Sequence, residues 1–501
     1  MSPVGPGGGA GRRQLRVFGA GLAGLTVAIS VQEELPGWQV TVVEKNSPES
    51  NTQLSGMRFR EGIANRRTRS AEEILELFTR RTEAPPSALM EVFATMAAEE
   101  LRRWRTRADF VGSQDRDDWF GPQWGAPNRA GKGHGKSTLK WLKRTAQSAG
   151  VAFETGELRR LATSDGSLSG TDVLVERDGS LVQVRQRATA YVLANGASTG
   201  LLFESTNKPI HWAAHEVAFA SGLPLTGATV HMVHPFGNAS PAGAPRIGCM
   251  ETDRLAGAEV YVRQQDGAYF MHRHITDLLE RHEAHYHFPN LVRELNAHGG
   301  ATRIHMPDQR RLHATVAEHY YHLGIETGDD GVAIADTDNG FAVGDASGIT
   351  AWTDHQERFP GFALTKCLID ARVLTDRLAR WDYADAADVA DADEYSISAP
   401  KDEDEARSAV LPAVRAINTL QLRRILAADT AKSKVEAACT WAEQSMQLSS
   451  ANAGVPIAEL SFAIAMAHVR RYAGFDEPIR ISAPRPEYAP RSARGGGPPL
   501  E

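Results

Sequence analysis

Gly19, Gly21 and Gly24 carry the spacing G-x-G-x-x-G inside "LRVFGAGLAGLTVAISVQEELPGWQVTVVEK", residues 15–45. A short apolar run precedes them, an amphipathic stretch follows, and a second apolar run ends on Glu44. That order predicts strand, turn, helix, strand. Gly19 permits the tight turn, Gly21 lets the backbone approach a pyrophosphate, and Gly24 lets the helix pack on the strand. N–H groups at the helix start receive phosphate oxygens, and Glu44, about 20 residues on, accepts hydrogen bonds from ribose hydroxyls. The next segment, "KNSPESNTQLSGMRF", favours FAD over NAD. It reads as a polar loop in which Asn51, Thr52, Ser55 and Gly56 can pass over a flavin ring and donate to it. Two other clusters point to different chemistry and carry less. "GKGHGKST" at 131–138 has the look of a triphosphate-binding loop, but Ala130 stands where that motif opens with glycine and no strand precedes it. It reads as a loop leading into the helix "TLKWLKRTAQSAG". His282, His285 and His287 have the composition of a metal site, yet i, i+3, i+5 spacing does not keep all three on one helical face, so no metal is assigned.

The elements that must position these residues follow from the patterning. Residues 151–195 alternate as a β-meander leading into a buried strand, "AYVLANG". From 206 the chain turns rich in His, Arg and aromatic residues, and "GVAIADTDNGFAVGDASG" then returns to short apolar strands with glycine turns. A helical stretch, an acidic run and further helices by period complete the chain. The expected division is a disordered N-terminus (1–13), an FAD-binding domain in two parts (14–205 and 326–385), and an inserted substrate or capping domain (206–325). An acidic linker (386–405), a C-terminal helical region (406–475) and a tail (476–501) follow. The fold class is α/β: a Rossmann-like FAD-binding domain with an inserted α+β capping domain and C-terminal helices.

Composition narrows the chemistry. The 501 residues suffice for about two to four domains. With 55 Lys plus Arg against 62 Asp plus Glu, and no basic stripe, a nucleic-acid partner is not expected. No run of about 18 apolar residues would span a bilayer, and the N-terminal "MSPVGPGGGAGRR" lacks a signal-peptide core, so no membrane partner is expected. Cys249, Cys367 and Cys439 are widely spaced and form no CxxC, which fits a reducing cytoplasm. No haem or iron-sulfur motif accompanies the flavin site, so electrons from a respiratory chain would require a separate electron donor or acceptor protein.

Four further stretches carry a resemblance. "HYYHLGI" at 319–325 aligns without gaps on the motif His-Tyr-x-Met-Gly-Gly-Ile, and "GFAVGD" at 340–345 is similar to a "GLYAAGE" cofactor strand, with Asp345 for glutamate. "RFPGF" at 358–362 falls on Arg-Leu-Gly-Gly-Asn, and "VHMVHPFG" resembles a segment ending in Gln-x-His-Pro. These motifs belong to the flavoprotein subunit of the succinate dehydrogenase and fumarate reductase family, which includes L-aspartate oxidase; the chain resembles it from about residue 14 to 380. The resemblance implies FAD, with Gly344 and Asp345 on the cofactor strand and the helix start at Ala363 and Leu364 near the flavin pyrimidine. It implies that Arg358 grips a substrate carboxylate, that His319 helps hold it beside the flavin, and that His234 contacts substrate. Glu251 and Arg254 match a Glu-Gly-x-Arg stretch of the inserted domain. The family's proton-delivering arginine has no clear counterpart, Arg281 being the nearest.

Three chemistries are open on this scaffold. The first is hydride transfer between FAD and a small carboxylic acid or amino acid. The second is an NAD(P)H-dependent flavin monooxygenase tailoring an amino acid, for example by N-oxygenation, with NADPH as reductant. The third is a non-catalytic FAD-containing subunit. Departures bear on all of them: His322-Leu323 replaces Met-Gly and Gly361-Phe362 replaces Gly-Asn, so bulkier groups line the expected pocket. Asn51 stands where the respiratory enzymes attach flavin covalently through histidine. FAD is therefore expected to be non-covalent: acid precipitation should leave the flavin in the supernatant and none on the polypeptide.

Overall fold

The apolar run before the first glycine becomes strand β1 (Arg13–Phe18), with Leu15, Val17 and Phe18 essentially inaccessible to water. The computed structural model describes residues 13–45, 51–54, 70–82, 88–107, 111–112, 124–125, 135–196, 199–202, 212–229, 231–238, 258–263, 268–274, 301–306, 309, 311–321, 323–348, 362–381, 395–397, 403–475 and 480–483. β1 is the middle of a five-stranded sheet in the order Gly340–Ala342, Ala190–Leu193, β1, β2 (Trp38–Glu44), Ala152–Thr155. Every pairing is parallel. Parallel strands need covered faces, and the Val-, Leu- and Phe-rich runs here supply that apolar content.

Helix α1 (Leu22–Glu34) departs from the amphipathic expectation. All of Leu22–Val31 is buried, because the helix is pressed between the sheet and the helices Gly135–Ser148 and Phe362–Arg380. A helix covered on every side keeps no polar stripe. The segment after β2 also differs from the loop reading. Residues Asn51–Leu54 form a turn of helix, α2, held from outside: Leu22 N–H donates to Thr52 Oγ1 at 3.3 Å.

The meander Glu157–Ser164, Ser167–Arg177 and Ser180–Gln186 turns at Asp165-Gly166 and Asp178-Gly179, where all four residues have positive φ, as two-residue hairpin loops require. Tyr395–Ile397, inside the acidic run, adds a strand to its edge. A second five-stranded sheet, entirely antiparallel, is built from His231–Asn238, Arg311–Tyr321, Ala301–His305, Glu259–Arg263 and Tyr269–His274.

Three C-terminal helices, Glu403–Ala427, Ala431–Ala451 and Pro456–Tyr472, pack into the same core as the short helix Ala214–Ala220. Buried Asn418 ties them together: it accepts from Trp441 Nε1 (3.0 Å) and Ser461 Oγ (2.7 Å) and donates to the Leu201 carbonyl (3.1 Å). A second tie is ionic. Arg407 forms a bidentate pair with Glu216 at 2.7 and 2.8 Å, and Asp404 binds Arg159 Nη2 (2.7 Å) and Trp212 Nε1 (3.1 Å). Arg159 and Arg407 both lie over the Trp212 ring. Removing one member of a buried pair strands the other charge, so Arg407→Met is expected to cost about 3–5 kcal/mol, measured as a lowered midpoint of urea denaturation.

Candidate functional site

The carboxyl ends of the parallel strands converge on one edge, where open α/β sheets bind ligands. β1 ends at Phe18, and Gly19 N–H donates to the Val43 carbonyl at 2.9 Å. α1 then begins with Gly21 as its N-cap, so its own N-cap supplies no side chain, no acid lies in the first turn, and Thr52 Oγ1 accepts from the first N–H, that of Leu22. The positive dipole end of such an N-terminus is suited to an anion. The glycines divide their roles by contact. A Cβ at Gly24 would lie 1.9 Å from the Gly19 carbonyl oxygen, whereas one at Gly21 would meet only Thr52 Oγ1, at 3.4 Å. Gly24 is required by the protein's own packing; Gly21 leaves a cradle beside the helix start.

Glu44 closes β2 at the same edge, and Lys143 Nζ sits 2.5 Å from its Oε2. This contact brings in the helix that follows the triphosphate-like stretch, which begins at Gly135, three residues earlier than the periodicity indicates. That helix thus serves the first motif.

On the far side of β1, strand Gly340–Ala342 leads into a tight turn, Gly344–Ser347. Gly344 packs against Ala23 of α1, which brings the two turns together. Asp345 is half-buried, but its Oδ1 is sealed from water and has no hydrogen-bond partner. Burial raises its pKa from the usual 3.8 to about 6; Lys366 opposes the rise and Asp370 adds to it. Because the folded value is the higher one, the contribution to apoprotein stability is present below 3.8 and lost as pH rises through about 6. A hydroxyl donating to the carboxylate would reverse that loss.

His215 backs the turn from helix Ala214–Ala220. Its ring is fully buried, neither nitrogen makes a well-formed hydrogen bond, and burial lowers its pKa to about 4, with the backbone of Asp345 and Ala346 opposing. It is therefore uncharged at neutral pH. Sequence reading passed it over; a histidine amid "HWAAHEVAFA" was the available signal.

The two histidines expected to contact substrate, His234 and His319, lie on paired strands. His231–Asn238 pairs with Arg311–Tyr321 so that Met232 faces Tyr320, Val233 faces Glu318 and His234 faces Ala317. His319 is the extra residue of the resulting bulge, a feature common beside active sites. Three residues beyond that strand, Gly324 lies against the end of the Asp345 turn: a Cβ there would be 2.4 Å from Gly348 Cα. The motif's glycine thus seats the His319 strand next to the cofactor strand.

Of the remaining candidates, Asn51 opens α2, and Ala363 and Leu364 lie in the first turn of helix Phe362–Arg380. Ser55, Gly56, Glu251, Arg254, Arg281 and Arg358 lie outside the described residues, as do His282, His285, His287 and His322. Among the described residues no group of three or more His, Cys, Asp or Glu side chains is placed to hold a metal ion, and no helix is long and apolar enough to cross a membrane.

Comparison with known proteins supplies a family and a fold. Residues 16–348 match the family model described as FAD dependent oxidoreductase. No curated protein matches the chain. Among solved structures, an E. coli quinol fumarate reductase carrying an FrdA mutation superposes with a TM-score of 0.60 at 16% identity, over 92% of this chain and 87% of that one. The Mycobacterium smegmatis Sdh1 complex in the apo form gives 0.61 at 17%, again over 92% and 87%. Adenylylsulfate reductase of Archaeoglobus fulgidus gives 0.56 at 13%, over 95% and 92%. At such identities the likeness is one of fold. The division between the glycines predicts that Gly21→Ala leaves the apoprotein melting temperature within a few degrees of wild type but weakens FAD binding about tenfold or more, whereas Gly24→Ala fails to accumulate as folded protein. Thermal melts of the two apoproteins and a flavin titration check both.

Proposed function

The chain belongs to the FAD dependent oxidoreductase family, and from that premise we propose that it transfers hydride between FAD and a small carboxylic acid or amino acid. The residues present fit the cofactor: a helix start with glycine at its N-cap and no acid in its first turn, the Gly21 cradle, Glu44 at the ribose position, and the unpartnered Asp345 Oδ1 for a flavin hydroxyl. FAD, when bound, supplies the two-electron acceptor. The protein's part is to bind and orient the acid and to move protons.

The observation that carries the substrate side is the close contact of Gly324 with Gly348, which seats the strand of His319, and its neighbour bearing His234, beside the Asp345 turn. Two histidines there can donate to a carboxylate or carbonyl, and either can exchange a proton near neutral pH. Arg358 is assigned to the substrate carboxylate by its motif position, and its planar, permanently charged guanidinium suits a bidentate grip. Holding the anion in one pose would orient its reacting carbon toward the cofactor, and such fixed orientation is what accelerates the step. Glu251 and Arg254 complete the assigned set on the inserted segment.

Anaerobic mixing with a panel of dicarboxylic and amino acids, and separately with NADPH, tests this. An acid alone is expected to bleach the flavin absorbance. Bleaching by NADPH only, accelerated by an acid, would transfer the assignment to a monooxygenase, and no bleaching by either would favour a non-catalytic subunit. Arg358→Ala is expected to retain bound flavin while losing turnover by at least about a hundredfold; unchanged activity would remove Arg358 from the site.

A further inference from the structure

Helix Phe362–Arg380 buries two ionisable side chains one turn apart, Lys366 and Asp370, under the Gly344 turn. Lys366 Nζ donates to Asp370 Oδ2 (2.6 Å), Ser347 Oγ (2.5 Å) and the Gly344 carbonyl (3.3 Å). Asp370 Oδ2 also accepts the Gly344 N–H at 2.7 Å. One glycine, with φ of +63°, is thus gripped at its N–H by the anion and at its carbonyl by the cation of a single pair. Buried ion pairs seldom stabilise a fold more than apolar side chains of the same volume, so stability alone does not account for this one. Apolar side chains could fill the space, but none could hold both polar groups of Gly344.

We propose that Lys366 and Asp370 are positioning residues for the flavin: they clamp the Gly344 turn so that the Asp345 carboxylate meets a cofactor hydroxyl. This rests on the reading of Asp345 as a flavin contact. Groups on three elements bear on it. Lys366 and Asp370 approach from the helix, His215 faces the backbone of Asp345 and Ala346, and Asp330, paired with Arg377 at 2.5 Å, acts on Asp370 from the loop before the strand. His215 stays neutral above about pH 4, so it adds no charge in the range that matters. Burial pushes Asp370 upward as well, with Lys366 and the Gly344 N–H opposing.

The test is the dissociation constant of the apoprotein for FAD, by fluorescence quenching, from about pH 5 to pH 8.5, together with apoprotein melting temperatures. Wild type should bind about tenfold more weakly one pH unit below the Asp345 pKa of about 6 than at pH 8, because only about a tenth of the molecules then carry the carboxylate. Asp370→Asn should move this acid limb to lower pH, and Lys366→Met should move it to higher pH. Should Lys366→Met not fold, adding it to Asp370→Asn must still move the limb upward relative to Asp370→Asn alone. Limbs that move the same way, or that stay in place while only the melting temperature falls, would overturn the clamp and leave a purely structural staple. Asp345→Asn should abolish the limb. If that variant keeps the wild-type limb and affinity, it is the reading of Asp345 that fails.

Discussion

Main chain packed directly on main chain is the constraint from which the site is built. Gly24 meets the carbonyl of Gly19, and Gly324 meets the backbone of Gly348, at distances no Cβ could occupy. The first contact sets the helix onto the strand and turns its N-terminus toward the sheet edge. The second joins the antiparallel sheet of the inserted segment to the turn carrying Asp345. A side chain at either place would separate elements that now touch through their backbones, so geometry here is set by what is absent from the residue.

Around that contact the protein concentrates charge where water is excluded. Asp345, Asp370, Lys366 and uncharged His215 lie within one neighbourhood; Lys366 and Asp370 Oδ2 are partnered, whereas Oδ1 of each aspartate and the His215 ring are not. In a low-dielectric setting an unpaired carboxylate oxygen is costly, and the cost falls when a donor arrives. The chain therefore holds a destabilised group at the end of strand Gly340–Ala342, and an added donor there would relieve it. Lys143 with Glu44 is the milder version at the other end of the cofactor site, partly exposed and correspondingly weaker.

The C-terminal helices extend this logic outward. Arg407 holds Glu216, whose neighbour in sequence is His215, and Asp404 holds Arg159 and Trp212. The short helix that backs the Asp345 turn is thus fastened to a bundle nearly two hundred residues further along the chain.

Some of this was legible in the residues. The strand–turn–helix–strand unit follows from G-x-G-x-x-G and two apolar runs because the relevant interactions are local, and the C-terminal helices follow from their period. The motif "HYYHLGI" marked a segment of interest, although only the fold shows that its glycine abuts Gly348. α2 was read as loop because the bond that orders it, from Leu22 to Thr52, comes from a different element. Lys366, Asp370 and His215 belong to no sequence motif, and Lys143 sits in a helix whose period says nothing of Glu44. By itself, then, the sequence determined the parallel nucleotide-binding sheet, the helical C-terminus and the flavin class of chemistry, since periodicity and glycine spacing act over a few residues. Which charges lose their water, and which partner each one then finds, was decided only by tertiary structure, because desolvation depends on elements that are distant in the chain and adjacent in space.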